Sequence, residues 1–274
     1  MKINRRCEPE RIAPDTYVIR QLFGEGMAPA AVYVNSMVIA GSEPVLVDTG
    51  PAVARDEWMA DVFSIVDPAD VRWVFLSHDD ADHVGNLPQV LELCPNATLV
   101  TNMFTIERMA ADYLLPIHRA RIVNDGDRFT AGDRELVAVI PPTFDSPTTR
   151  GLLDTRTGVY WGVDSFGTPV PAEVTDVDEL DADFYQAGFL QMNQLLSPWS
   201  RWLDGAKYGS HLDRVRVLQA SVVASAHGPV LRGAQVGAAL DMMAQLPGLP
   251  AVPLPGQAEL EALVALVTGG QQAA

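Results

Sequence analysis

Cysteine is nearly absent from this chain. Cys7 and Cys94 are its only two, and neither belongs to a Cys-x-x-Cys pair. A disulfide framework is therefore excluded, thiol chemistry is not expected, and a reducing cytoplasm is the expected setting. Long hydrophobic runs are missing as well. The best candidate, "APAAVYVNSMVIAG", is broken by Asn35 and Ser36 and falls short of the roughly 18 to 20 apolar residues of a membrane span. The basic N-terminus "MKINRRCEPERIAP" lacks the apolar stretch of a signal peptide, so a soluble protein is expected. Positive charge is in short supply: 19 Lys plus Arg face 35 Asp plus Glu, for a net charge of −16. Such a surface repels phosphate backbones and anionic lipid, which argues against nucleic-acid and membrane partners. Bound cations, which the formal count omits, would neutralise part of it.

What is present suffices for a large core. The 274 residues are 48% apolar, enough for one domain or two. "TYVIRQL" and "AVYVNSMVIA" read as neighbouring strands, and "PVLVDTG" as a short buried strand ending in Asp48 and Gly50. A helix is expected from about Ala52 to Val66, then a strand "VRWVFL", a helix near Gln89 to Leu93, a strand "ATLV" and a helix from Phe104 to Tyr113. The second half is richer in strands. "NDGDRFTAGDRELVAVI" holds two turn signals before a β-branched run, and a hairpin is expected around Thr155 to Gly158. A long helical stretch lies between Asp176 and Leu218, followed by the strand "ASVVASAHGPV", a Pro-rich linker and a short amphipathic helix. This alternation predicts a layered α/β sandwich.

Five segments share one feature: an apolar strand stops and a metal-capable side chain follows. They are Asp48, the cluster "SHDDADHVG" (Ser77 to Gly85), Asp145, Asp164 and His227. Strands of one sheet can align such loops along a common edge, where functional residues gather. A single Asp after a strand is usually a turn former or helix cap, and Asp48 before Thr-Gly is read that way, bracing its neighbours. The dense cluster differs. Two imidazoles and two carboxylates within six residues, His78, Asp80, Asp82 and His83, are costly beside a buried strand unless paired.

"VLVDTG", His-x-Asp-x-Asp-His-x-Gly, "VDSFG" and "ASAHGPV", in that order, resemble the metallo-β-lactamase superfamily from about Tyr17 to Ala239. Most hydrolytic members carry a second histidine where this chain has Asp80. The acid there, followed by "HVGNLP", is similar to the flavodiiron and oxygen-binding diiron branch, whose bridging-aspartate segment "VYWGVDSFG" also resembles. The resemblance implies a four-layer αββα sandwich over residues 1–245, with 246–274 forming a Pro-rich linker and a helix packed on that domain. It implies one metal bound by His78, Asp80 and Asp145, a second by Asp82, His83 and His227, and Asp164 bridging the two. The branch has a histidine where Asp145 stands, so either Asp145 replaces it as ligand or the first site is incomplete. The chain ends without a flavodoxin domain, so no built-in flavin is expected.

Three histidines with four carboxylates suit iron or manganese better than zinc, whose hydrolytic sites lean on imidazole. Two metal ions, iron first with zinc or manganese as alternatives, are thus expected to bind or reduce dioxygen, nitric oxide or peroxide. Electrons would come from a separate flavodoxin- or rubredoxin-like donor. The competing functions are a dinuclear hydrolase acting on an ester, thioester or phosphodiester, and a sensor retaining a degenerate site. Asp82 is the acid on which the chemistry is expected to depend. His118, in "LLPIHRA", is a candidate to reach the metals from a loop, although such a histidine is more often a surface residue. Tyr185, Tyr208 and His211 read as packing or surface residues. Oligomeric state is left open.

Overall fold

The computed structural model describes residues 3–26 and 30–269. Among these, a first sheet contains, in spatial order, β1 (Asn4–Ala13), β2 (Thr16–Phe23), β3 (Val32–Ile39), β4 (Val45–Val47), β5 (Trp73–Phe75), β6 (Thr98–Thr101) and β7 (Ala120–Ile122). The second sheet contains β8 (Arg128–Ala131), β9 (Arg134–Val139), β10 (Gly151–Asp154), β11 (Val159–Trp161), β12 (Val222–Ala224) and β13 (Leu231–Arg232), running in space from β13 back to β8. The helices are α1 (Arg55–Ile65), α2 (Ala81–Val84), α3 (Leu87–Leu93), α4 (Met103–Met109), α5 (Ala182–Leu196), α6 (Gly205–Arg216), α7 (Ala234–Met243) and α8 (Gln257–Gly269).

Why central strands read as continuous apolar runs follows from what covers them. Successive side chains point to opposite faces of a strand, and here both faces are buried. Met37, Ile39, Val45 and Val47 meet Leu136, Ala138, Leu152 and Trp161 between the two sheets. Val38, Leu46 and Val74 face outward onto Trp58 and Val62 of α1 and Leu87 and Val90 of α3. On the far side Val137, Leu153, Tyr160 and Val223 carry α5, α6 and α7 through Phe189, Leu212 and Leu240. The layers are helix, sheet, sheet, helix. This is the four-layer αββα architecture.

The structure departs from the sequence reading in three places. The N-terminal stretch forms β1, paired with β2 across register shifts near Cys7 and Arg11; its charged pattern hides it from an apolar criterion. The short edge strand β7 is likewise absent from the expected elements. The long helical stretch divides, because Asp181 caps α5 and Asp204 caps α6 through backbone N–H groups, with Pro198 opening a 3-10 turn between them. In α8, Leu260, Leu263 and Val264 are exposed, and residues 270–274 of the expected C-terminal unit lie outside the described residues. No described helix is long and apolar enough to cross a membrane.

Beneath the hairpin joining β8 and β9, the buried Arg134 guanidinium donates to Asp154 Oδ2 at 2.8 Å. Asp15 still accepts from Nη2 at 3.2 Å, so Asp154→Ala leaves Nη1 without its acceptor rather than a lone charge. The substitution is expected to lower stability by about 1–3 kcal/mol, measured as a fall in the urea midpoint. An unchanged midpoint would refute the pairing.

Strand direction then sets the site. β4 and β5 are parallel; β9 and β11 each pair antiparallel to β10 and so run together; β11 and β12 are parallel. All five finish at one end of the sandwich. They come from both sheets rather than one, so the loops meet across the inter-sheet seam.

Candidate metal centre

Asp48 closes β4 in a left-handed conformation (φ 62°), which Asp tolerates better than most residues. That twist turns its carboxylate back into the core, where it is fully buried. Oδ1 accepts from the Ser77 backbone N–H at 2.8 Å, while Oδ2 accepts from Ser77 Oγ at 2.7 Å and Trp161 Nε1 at 3.2 Å. His83 Nδ1 lies 2.9 Å from Oδ2, so that nitrogen carries a proton and Nε2 points away. The bracing role expected of Asp48 holds. It extends to orienting a histidine.

His78 leaves the end of β5, and Asp82 and His83 sit in the single turn of α2. That turn presses on the β4–α1 loop: a Cβ added at Gly85 would meet Ala52 N at 2.3 Å and Gly50 O at 2.7 Å. Only glycine permits this approach. Asp79 faces elsewhere, accepting from Arg108 Nε at 2.6 Å and Thr148 Oγ1 at 2.8 Å. It thereby ties the cluster to the loop carrying Asp145.

From the second sheet, Asp164 sits among Val163 (φ 58°) and Phe166 (φ 67°), both strained for such side chains. The strain is held by neighbours. Asn193 of α5 accepts from Phe166 N and donates to Gly167 O, and Ser165 Oγ bonds the Thr143 backbone. His227 follows β12, its Nδ1 donating to Tyr33 O at 2.9 Å. Asn35 Nδ2 secures that loop by donating to Ser225 O and Gly228 O.

All seven side chains of the sequence-derived set converge. His78, Asp80 and Asp145 form one group, Asp82, His83 and His227 a second, and Asp164 joins His78 and His83 in a third, each with donor atoms within 4.8 Å of one another. His78 Nε2 lies 3.4 Å from Asp164 Oδ2, while His83 Nε2 and His227 Nε2 lie 3.1 and 3.2 Å from Oδ1. Asp82 Oδ2 is 3.4 Å from His83 Nε2 and 3.6 Å from His227 Nε2. Yet His78 Nε2, His83 Nε2 and Asp164 Oδ1, all buried, lack a directed hydrogen-bond partner. Donors bound to one ion at about 2.1 Å stand roughly 3.0–3.5 Å apart, which matches these spacings. Buried donors without partners, aimed at a common point, fit a pair of metal ions.

The charges within the cluster agree. Burial lowers the pKa of His78, and the neighbouring His83 charge lowers it further. Burial also opposes charge on His83, but Asp48 and Asp164 overcome it and hold that imidazole well above its ordinary value. His227 is raised likewise, Asp164 outweighing burial. Asp164 is held well below the usual carboxylate range against its burial, by the three imidazoles. Asp80 and Asp145 are raised, by desolvation first and then by the Asp164 charge. Ligation needs neutral imidazole, so metal uptake competes with the protons that acidic neighbours favour on His83 and His227. Metal affinity is expected to climb as pH rises through these raised values and to level off above them. Calorimetry in two buffers of different ionisation enthalpy measures the protons released; none released would contradict this assignment.

His118 is not brought to the cluster. It is exposed in the 3-10 turn leading into β7. Because β7 runs parallel to β6, its entrance lies at the sheet end opposite the metal-capable loops. Tyr185 stacks against Phe189, Tyr208 is buried among the α5–α7 contacts, and His211 Nε2 lies 2.9 Å from Pro141 O. All three act in packing.

The fold and this histidine–carboxylate constellation define a protein of metallo-β-lactamase type. A family profile described as ODP family beta lactamase matches residues 32–228. The chain belongs to that family. Diflavin flavoprotein A 1 of Synechocystis sp. is 26% identical over 239 residues, covering 82% of this chain and 40% of that protein. The nitric oxide reductase of Moorella thermoacetica is 24% identical over 202 residues, covering 72% of this chain and 49% of the relative. The crystal structure of the flavodiiron protein from Giardia intestinalis superposes with a TM-score of 0.73 at 18% identity, covering 89% of this chain and 60% of the other. The chain thus spans about two fifths of the length of the curated relatives it matches first, 39% in each case.

Proposed function

We propose that this chain holds two iron ions and binds or reduces a small oxidant: dioxygen, nitric oxide or a peroxide. One observation carries the reading: two groups of three donors meet at Asp164, and four of the seven donors are carboxylates. Such a set compensates the charge of two divalent ions and favours their oxidised state. The similar proteins support it, a nitric oxide reductase among the relatives and a flavodiiron protein among the solved structures.

His78, Asp80 and Asp145 would hold one ion, Asp82, His83 and His227 the other, and Asp164 both. Bound iron would supply one-electron chemistry. Asp48 and Tyr33 O hold two of the imidazoles in the tautomer that presents Nε2. The Asp80 side chain, 42% exposed, and the exposed Asp145 leave one flank open to a diatomic molecule arriving from water. Electrons would come from a flavodoxin- or rubredoxin-like donor, and the reducing cytoplasm is the proposed location.

The test loads the protein with ferrous iron without oxygen, counts the metal, and then follows visible absorbance on adding dioxygen or nitric oxide. Two irons per chain and a spectral response are expected. A colourless zinc-filled protein inert to both gases would overturn the proposal. Hydrolysis of phosphodiesters or esters by the zinc form, lost in Asp82→Ala, would favour the hydrolase instead.

A further inference from the structure

The seven donors divide unevenly between the two positions, and the inference drawn from this rests on the dinuclear reading above. One position draws on His83, His227 and Asp82, the other on His78, Asp80 and Asp145. Counting Asp164 in both, the first offers two imidazoles and two carboxylates, the second one imidazole and three carboxylates. Asp145 creates this asymmetry.

Anchoring is uneven in the same sense. His83 Nδ1 faces the buried Asp48 carboxylate at 2.9 Å, and His227 Nδ1 faces the Tyr33 carbonyl at 2.9 Å. His78 Nδ1 has only Ser77 Oγ, at 3.1 Å, a hydroxyl whose proton already goes to Asp48. Strong partners behind a ligating histidine raise its basicity and fix its ring, and are worth about 10–100-fold in metal affinity. Exposure points the same way. The imidazoles are buried at both positions, and the difference lies in the carboxylates: the Asp82 side chain is 34% exposed, against 42% for Asp80 with Asp145 also exposed.

Imidazole suits zinc and ferrous iron, while carboxylate and water suit harder ions such as manganese and magnesium. We propose that the His78–Asp80–Asp145 position is the exchangeable one, able to take iron but selecting Mn²⁺ over Zn²⁺, beside a firmly held ion at His83–His227. The chain can then carry two different metals across Asp164.

The chain, stripped of metal, is titrated with Zn²⁺ alone, and separately with one equivalent of Zn²⁺ followed by Mn²⁺. Calorimetry reads affinity, and electron paramagnetic resonance reads the manganese. Two zinc steps separated by at least about tenfold are expected. After one equivalent of zinc, one equivalent of manganese should bind and give the spectrum of an isolated, immobilised ion. Asp145→Ala should lose the weaker step and the manganese while keeping the tight zinc. Asp145→His should bring the two zinc steps together and weaken manganese against zinc by at least about tenfold. His227→Ala should lose the tight step and keep the weaker one. Two equal steps insensitive to Asp145→Ala, or a spin-coupled manganese pair forming after one zinc, would overturn the inference and leave the dinuclear reading intact. A folded chain that takes up neither ion would overturn both.

Discussion

Asp164→Asn is expected to reduce metal content from two ions per chain to one or fewer. Among the described residues Asp164 is the one carboxylate within reach of all three imidazoles, 3.4 Å from His78 Nε2 and 3.1 and 3.2 Å from those of His83 and His227. Asparagine keeps the size and removes the charge. Two ions brought together without that anion would repel across the gap, and each position would lose an oxygen donor. A ligand present at 1,000 times its Kd stabilises the folded state by about 4 kcal/mol. The metal-dependent rise in Tm should therefore collapse, and elemental analysis should count the loss directly. Retention of two ions with an unchanged Tm increment would show that Asp164 bridges nothing.

Asp48→Asn is expected to have the next largest effect, although Asp48 belongs to neither donor group. Its buried carboxylate accepts four hydrogen bonds, from the Ser77 backbone, Ser77 Oγ, Trp161 Nε1 and His83 Nδ1. An amide cannot accept all four and would turn an N–H toward another donor. Affinity at the His83–His227 position should fall about 10–100-fold, and breaking the buried charge pair should cost about 3–5 kcal/mol. Metal titration separates these effects, because the His78–Asp80–Asp145 position should change much less. Equal weakening of both positions would mean that Asp48 acts only by holding the loops.

Much of the site is legible in the chain because its donors follow buried strands and cluster in sequence. His78, Asp80, Asp82 and His83 announce themselves by density, and Asp164 and His227 by their places after "GVYWGV" and "SVVASA". Other roles leave no comparable mark. Asp79 and Asp80 are adjacent identical residues, yet Asp79 is taken by Arg108 and Thr148 while Asp80 joins His78 and Asp145. Asn35 and Ser36 look like interruptions of an apolar run; in the fold Asn35 secures the His227 loop and Ser36 Oγ accepts from Trp58 Nε1. Asn193 holds the strained segment around Asp164 from a distant helix. His118 carried the right chemistry at the wrong end of a strand, a matter of strand direction.

By itself the sequence determined the donor types, their order and the layered α/β class, because hydrophobic periodicity and ligand chemistry are local properties. Only the tertiary structure decided that the five strand ends come from two sheets and meet at one seam, and which nitrogen of each imidazole is spent on a neighbour. Those are matters of direction, and direction arises only when distant segments pack.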